Sequence, residues 1–216
     1  MMLTEKTLYL VRHAETVFNR AARMQGNEAH SPLTANGTEQ ALALARYCRQ
    51  HLGAQPNLVF WCSPTGRTRQ TAAIIADALE IDYFSVRVDA RLREIEVGDW
   101  TGETYADLVA RHGQIIDSRR RFFVQRPPGG EWYDHMAARL GDWARDVEAD
   151  AAATHLAISH GLASRVLRGI LTGNEHHSDV DAVIAPDIPQ GQFVELRGGT
   201  ETLHTPGGPA SDGRGL

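Results

Sequence analysis

The sequence is poor in cysteine. Its 216 residues hold only Cys48 and Cys62, with no CxxC pair. That argues against a disulfide framework and fits a reducing compartment. No apolar run is long enough to span a bilayer. The opening Met-Met-Leu-Thr-Glu-Lys lacks the apolar stretch of a signal peptide, so a cytoplasmic location is expected. A basic excess is missing too. The formal net charge is −5, which argues against a general role on nucleic acid or on a membrane surface. Internal repeats are absent. What remains is ordinary for a soluble chain: 42% hydrophobic and 23% charged residues, with enough length for a substantial core.

The most informative stretch is Leu8-Tyr9-Leu10-Val11-Arg12-His13. A continuous apolar run that stops at polar residues reads as a strand buried on both faces. Open α/β sheets bind ligands beyond the carboxyl ends of such strands. Downstream, Thr34 reads as an N-cap for a helix carrying Ala41, Leu44, Ala45, Cys48 and Leu52, stopped by Gly53. Leu58 to Cys62 is a second buried strand. Ser63-Pro64 reads as the next helix start, with Ile74, Ile75, Ala78 and Leu79 on its apolar face. Tyr83 to Val88 alternates like a strand. Residues 103–122 read as helical and polar, and Pro127-Pro128-Gly129-Gly130 is a sharp break. A long helix is expected from about Glu131 to Asp150, with Met136, Leu140, Trp143 and Val147 inward. Leu156 to Ser159 is another buried strand, and Gly161 opens a helix. Val183-Ile184 and Phe193 to Leu196 are candidate closing strands.

This alternation predicts an α/β three-layer sandwich: a mostly parallel sheet with helices on both faces. Residues 1–203 form one domain in this reading. The segment from about 99 to 130 is inserted as a small helical cap, and 204–216 form a loose tail rich in Pro, Gly, Ser and Asp.

Three strand ends carry similar chemistry. Arg12-His13 ends the first, Cys62 to Arg67 follows the second, and Ser159-His160-Gly161 ends the strand near residue 158. In a parallel sheet these ends share one edge, gathering two arginines and two histidines in one crevice. Leu92-Arg93-Glu94 brings a carboxylate toward it. Singly, each residue has an ordinary structural explanation; their convergence points to an anion such as phosphate.

Leu10-Val11-Arg12-His13-Ala14-Glu15-Thr16 with Asn19, Ser31-Pro32-Leu33-Thr34 with Gly37 and Gln40, Ser63-Pro64-x-x-Arg67-x-x-Gln70-Thr71-Ala72, Leu92-Arg93-Glu94 and Ser159-His160-Gly161 together resemble the histidine phosphatase superfamily, in its phosphoglycerate-mutase-like branch. The likeness runs in order from residue 7 to about 172. It implies a phosphohistidine mechanism with no metal and no organic cofactor. His13 would be the nucleophile and Glu94 the proton donor to the leaving oxygen. Arg12, Arg67 and His160 would bind the phosphoryl group, with Asn19 as a further contact and the helix start at Gly161 and Leu162 adding backbone amides. The chemistry is coherent: imidazole is both nucleophile and leaving group, and guanidinium forks match phosphoryl oxygens. One departure is Ala14, where the family most often has Gly. Another is Trp132 after Gly130-Glu131, where the family often has Ser.

The expected activity is hydrolysis of a small phosphorylated metabolite, a phosphomonoester. The alternatives are phosphoglycerate mutase-type transfer and a catalytically silent phosphate-binding domain. The stretch from Glu94 to Gly130 is short for a mutase, which must hold its intermediate in a closed, dry site. A Cys62–Arg67 phosphatase fails because Pro64 removes an amide that such a loop needs. No nucleic-acid or membrane partner is expected, and self-association is left open. Trp100, Tyr105, Phe122, Trp132 and Tyr133 read as the core or rim of the cap. Arg119-Arg120-Arg121 reads as a solvated face or an anion-steering patch. Glu175 to Asp181 holds metal-ligand types but reads as a solvated loop.

Overall fold

In the computed structural model, which describes residue 3 and residues 5–207, the first apolar run becomes strand β1 (Thr7–Arg12) at the middle of a six-stranded sheet. Strands β2 (Val59–Cys62), β3 (Arg87–Val88) and β4 (Thr154–Ser159) run parallel to it. Two further strands, β7 (Phe193–Arg197) and β8 (Thr200–His204), close the sheet as an antiparallel hairpin. The spatial order is β3-β2-β4-β1-β7-β8. Between β4 and β7 lies a separate two-stranded ribbon, β5 (His176–His177) with β6 (Ala182–Val183). The architecture is the expected mixed, mostly parallel sheet with helices around it.

Alternation along β1 explains its unbroken apolar run. Leu8 and Leu10 join one core with Trp61, Met136, Leu140, Trp143 and Leu167. Tyr9 and Val11 join the other with Leu44, Cys48, Ile75, Leu79 and Ile158. Helices α2 (Ala35–Leu52) and α3 (Gly66–Leu79) supply that second layer; α5 (Tyr133–Ala149) and α6 (Gly161–Thr172) supply the first. Each fully buried aliphatic side chain contributes about 1.5–3 kcal/mol of transfer free energy, so this double burial holds β1 firmly in register.

Local signals behave as their chemistry dictates. Thr34 caps α2, its hydroxyl accepting from the Gly37 amide, and Gly53 at φ 81° ends the helix. A short helix α1 (Val17–Arg20) is closed by a capping box between Thr16 and Asn19. At Gly37 a methyl would stand 2.0 Å from the Glu15 carbonyl oxygen, so only glycine admits this packing of α2 on the loop after β1.

Several expectations need correction. Helix α3 starts at Gly66, with Thr65 as its N-cap, and not at Ser63-Pro64. The Ser63 amide still donates to the Ile158 carbonyl, continuing the β2–β4 ladder past the strand end. Tyr83 to Val88 is mostly a 3-10 turn, Tyr83–Ser85, before the two-residue β3. Within 103–122 only α4 (Tyr105–His112) is helical. Ala182–Val183 pairs with His176–His177 and does not join the main sheet. His204, where a tail was expected to begin, is the last residue of β8. Residues 208–216 of that expected tail lie outside the described residues.

Candidate active site

The loops after β1, β2 and β4 meet at one edge of the sheet. His13, one residue past β1, is buried, and its amide donates to the Ser159 carbonyl at 3.0 Å. Its Nδ1 lies 2.8 Å from the Ala14 carbonyl oxygen, an acceptor only. Nδ1 therefore carries the proton and Nε2 the free lone pair. Burial, then the charges of Arg67 and Arg12, hold its pKa well below the usual 6.5. At neutral pH this is a neutral imidazole of fixed tautomer. The Ala14 methyl is fully buried and its amide reaches Thr71 Oγ1 at 3.2 Å, so the departure from Gly is accommodated.

His160 is the N-cap residue of α6. Its ring meets that of His13 edge to face, with centroids 5.3 Å apart. Both its nitrogens are engaged: Nε2 with Ser63 Oγ at 2.7 Å, and Nδ1 with Arg67 Nη2 at 3.0 Å and Nε at 3.2 Å. Arginine only donates, so Nδ1 accepts and Nε2 donates to the serine. Burial and then Arg67 push its pKa down as well. Ser63, read from the sequence as a helix cap, is thus a partner of His160.

The two arginines differ. Arg67 is fully buried and saturated. Its Nη1 reaches the Glu28 carbonyl at 2.8 Å and Ser31 Oγ at 2.9 Å, and its Nη2 reaches the Gly26 carbonyl at 2.6 Å. Burial draws its pKa down to about 10. Arg12 spends Nη1 on the Ile188 carbonyl at 3.0 Å and on Asp187 at 3.4 Å. Its Nε and Nη2 are buried without a partner. Unpaired buried guanidinium donors are costly, on the order of 1–3 kcal/mol each or more, and they mark a place for an anion.

Glu94 sits at the amino end of α6. Oε1 accepts from the amides of Ile95 (3.0 Å) and Ala163 (2.9 Å), and Oε2 from Leu162 (3.0 Å). The helix-start amide at Leu162, expected to face substrate, therefore binds Glu94 instead. A buried fork behind Glu94 fixes its backbone. Arg139 of α5 pairs with both oxygens of Glu131 at 2.8 Å and donates to the carbonyls of Arg91, Arg93 and Glu94 at 2.6, 2.8 and 3.3 Å. The sequence reading missed Arg139; a buried-face arginine on an amphipathic helix is its only sequence trace.

Of these groups His13, Arg67, Glu94 and Leu162 line a pocket, together with Met24, Gln25, Gly26, Val97, Tyr105 and Phe123, whereas Arg12 and His160 stand behind its lining. It encloses about 20 Å³, room for little more than one water. Asn19 stays outside its lining: its Oδ1 accepts from Thr16 and from Gln190 Nε2. Among the five aromatics, Tyr105 reaches the pocket, whereas Trp100, Phe122 and Tyr133 are buried in the core beside it. Arg119, Arg120 and Arg121 line a second cavity of about 330 Å³ with Arg165, His177 and Asp187. Cys62 is inert, its thiol pushed up to about 12 by burial.

Residues 8–183 match the family model described as histidine phosphatase superfamily, branch 1. A curated relative, "Probable phosphoglycerate mutase GpmB" of Klebsiella pneumoniae, is 34% identical over 92% of this chain and 95% of its own. Among solved structures, a mycobacterial glucosyl-3-phosphoglycerate phosphatase complexed with VO3 superposes with TM-score 0.74 at 24% identity, covering 93% of this chain and 98% of that one. The alpha-ribazole phosphatase of Shigella flexneri gives 0.69 at 24% identity, over 97% and 98%. Among the described residues no helix is long and apolar enough to cross a membrane.

Proposed function

The chain belongs to the histidine phosphatase superfamily, and from that premise we propose that it hydrolyses a small phosphomonoester through a phosphohistidine on His13. One observation carries the reading: a neutral imidazole with Nδ1 tied to a carbonyl and Nε2 free, beside a buried guanidinium with two unused donors.

In this mechanism substrate phosphate displaces water from the pocket and takes up Arg12 Nε and Nη2. His13 Nε2 attacks phosphorus, and the P–O bond to the leaving group breaks. Glu94, protonated at that moment, gives its proton to the departing oxygen. Oε2 accepts one amide against two on Oε1, so Oε2 has the spare acceptor capacity. Glu94 then takes a proton from water, the water oxygen attacks the phosphohistidine, and the P–N bond breaks to release inorganic phosphate and neutral His13. Arg67 and His160 hold the loop of residues 26–31 and the floor of the site. Arg12 and Arg67 together balance the charge that develops on the phosphoryl oxygens. The narrow pocket implies that the segment bearing Tyr105 and Phe123, read as a cap over residues 99–130, shifts outward when substrate enters.

A mutase is the second reading, favoured by the name of the 34%-identical relative. Product analysis separates the two. With phosphorylated metabolites as substrates and EDTA present, we expect inorganic phosphate to be released without interconversion of phosphoglycerate isomers. Isomer interconversion with little phosphate release would overturn hydrolysis, and a strict need for added divalent metal would overturn the mechanism.

A further inference from the structure

Outside the pocket lining, where α2 ends against the outer hairpin of the sheet, three side chains turn to one point. His51 comes from the last turn of α2, Glu195 from β7 and His204 from the end of β8. Glu195 pairs with Thr202 across the hairpin, so His204, two residues on, lies on the same face as its diagonal neighbour. The ligand-type atoms of the three residues all lie within 4.8 Å of one another. His204 Nε2 is 3.2 Å from Glu195 Oε2, and His51 Nε2 is 3.8 Å from the same oxygen.

We propose that His51, Glu195 and His204 form a zinc-class divalent-metal site, with water in the fourth position, that ties the end of α2 to the β7–β8 hairpin. Two imidazoles and one carboxylate, with a position left for water, are a zinc donor set. Bonds of about 2.0–2.1 Å to a tetrahedral ion place its ligand atoms roughly 3.3 Å apart. The Glu195–His204 pair already stands at that separation. His51 is exposed at a helix end with its ring stacked on Tyr47, centroids 6.0 Å apart, and must swing inward to close the remainder.

The surroundings fit as well. The Tyr47 hydroxyl lies 3.1 Å from His204 Nδ1, the outer contact that orients a metal-binding imidazole and leaves Nε2 for the ion. Phe193 stacks on the His204 ring, with centroids 4.6 Å apart and planes 2° from parallel. The stretch of residues 175–181, with the same ligand types, does not converge: His176 pairs with Asp181, and His177 faces the Ile184 carbonyl. The proposal is independent of the phosphatase reading and predicts no metal requirement for turnover.

The test is a zinc titration of EDTA-treated, dialysed protein, followed by calorimetry and by thermal unfolding. The variants are His51→Gln, Glu195→Gln and a control carrying His176→Ala with His177→Ala. We expect the natural protein and the control to bind one equivalent and to gain melting temperature. The His51→Gln and Glu195→Gln proteins should bind at least tenfold more weakly. Because His51 is exposed, its variant should melt like the natural protein when both are metal-free. Equal zinc affinity in the His51→Gln protein, or no saturable single equivalent in the natural protein, would overturn the site, as would loss of binding in the control.

Discussion

The ends of β1 and β4 each deliver a histidine to the same point, yet the two ends are bonded differently. At β1, His13 keeps one ring nitrogen free and Arg12 leaves two donors unpaired. At β4, His160 has both nitrogens engaged, and its partner Arg67 bonds two backbone carbonyls, a serine and the histidine itself. The first end is chemically incomplete without an anion, and the second is closed. Under the proposed mechanism the difference is a division of labour: β1 would supply the reagents, while β4 with α3 supplies the frame that holds them.

The sharpest way to break that comparison is to truncate each histidine. His13→Ala should lower turnover by about 10³-fold or more, as loss of a nucleophile does, abolish the acid-labile phosphoenzyme, and leave the melting temperature nearly unchanged. His160→Ala should cost stability as well, on the order of 1–3 kcal/mol for each buried group left unpaired on Ser63 and Arg67. Equal losses of stability in the two variants would erase the distinction.

Glu94→Gln comes next. It should slow turnover by about 10²–10⁴-fold while inhibition by inorganic phosphate stays close to normal. The deficit should shrink with an aryl leaving group that needs no proton. Unchanged turnover on an alkyl phosphate would remove Glu94 from its assigned role.

The arginines offer a smaller, paired contrast. A lysine cannot reproduce the fork of Arg67, so Arg67→Lys should lower stability by about 2 kcal/mol. Arg12→Lys should weaken phosphate inhibition about tenfold with a smaller change in unfolding free energy. The reverse ranking in urea titrations would contradict the assignment.

The last contrast is one of pH. His13 and His160 both have folded-state pKa values below the ordinary 6.5. Below 6.5 the unfolded chain therefore binds more protons than the folded one, and stability falls as pH drops from 6.5 toward the folded values. Each histidine contributes up to about 1.4 kcal/mol per pH unit in that window. Above 6.5 both are neutral in either state and the slope vanishes. Unfolding followed from pH 8 downward should be flat and then fall, less steeply in His13→Ala.

Much of this was legible in the sequence because the signals were local. The apolar run of β1, the Thr34 cap and the Gly161 helix start each depend on neighbours within a few residues. Of the five residues expected at the site, His13, Arg67 and Glu94 line one pocket and His160 packs against His13, because parallel strands share an edge; Arg12 stays outside the pocket lining. What escaped was set by distant contacts. Ser63 looked like a helix cap because nothing nearby shows that His160 claims its hydroxyl. Residues 113–132 looked helical in part, but pairings such as Ile116 with Phe123 hold them irregular. Strand β8 was hidden by a polar composition suited to an edge strand. The bond from Leu162 to Glu94 crosses 68 residues, beyond any reading of spacing.

The sheet order has a consequence in time. β1 lies between β4 and β7, whose register partners begin at Thr154 and end at Arg197. At about 5–20 residues per second, a growing chain makes β1 roughly seven to thirty seconds before either neighbour exists. Throughout that interval a strand destined for burial has two open edges. The cell must shield it, or the growing chain must, and the α2 and α3 layer made in between is the first cover available.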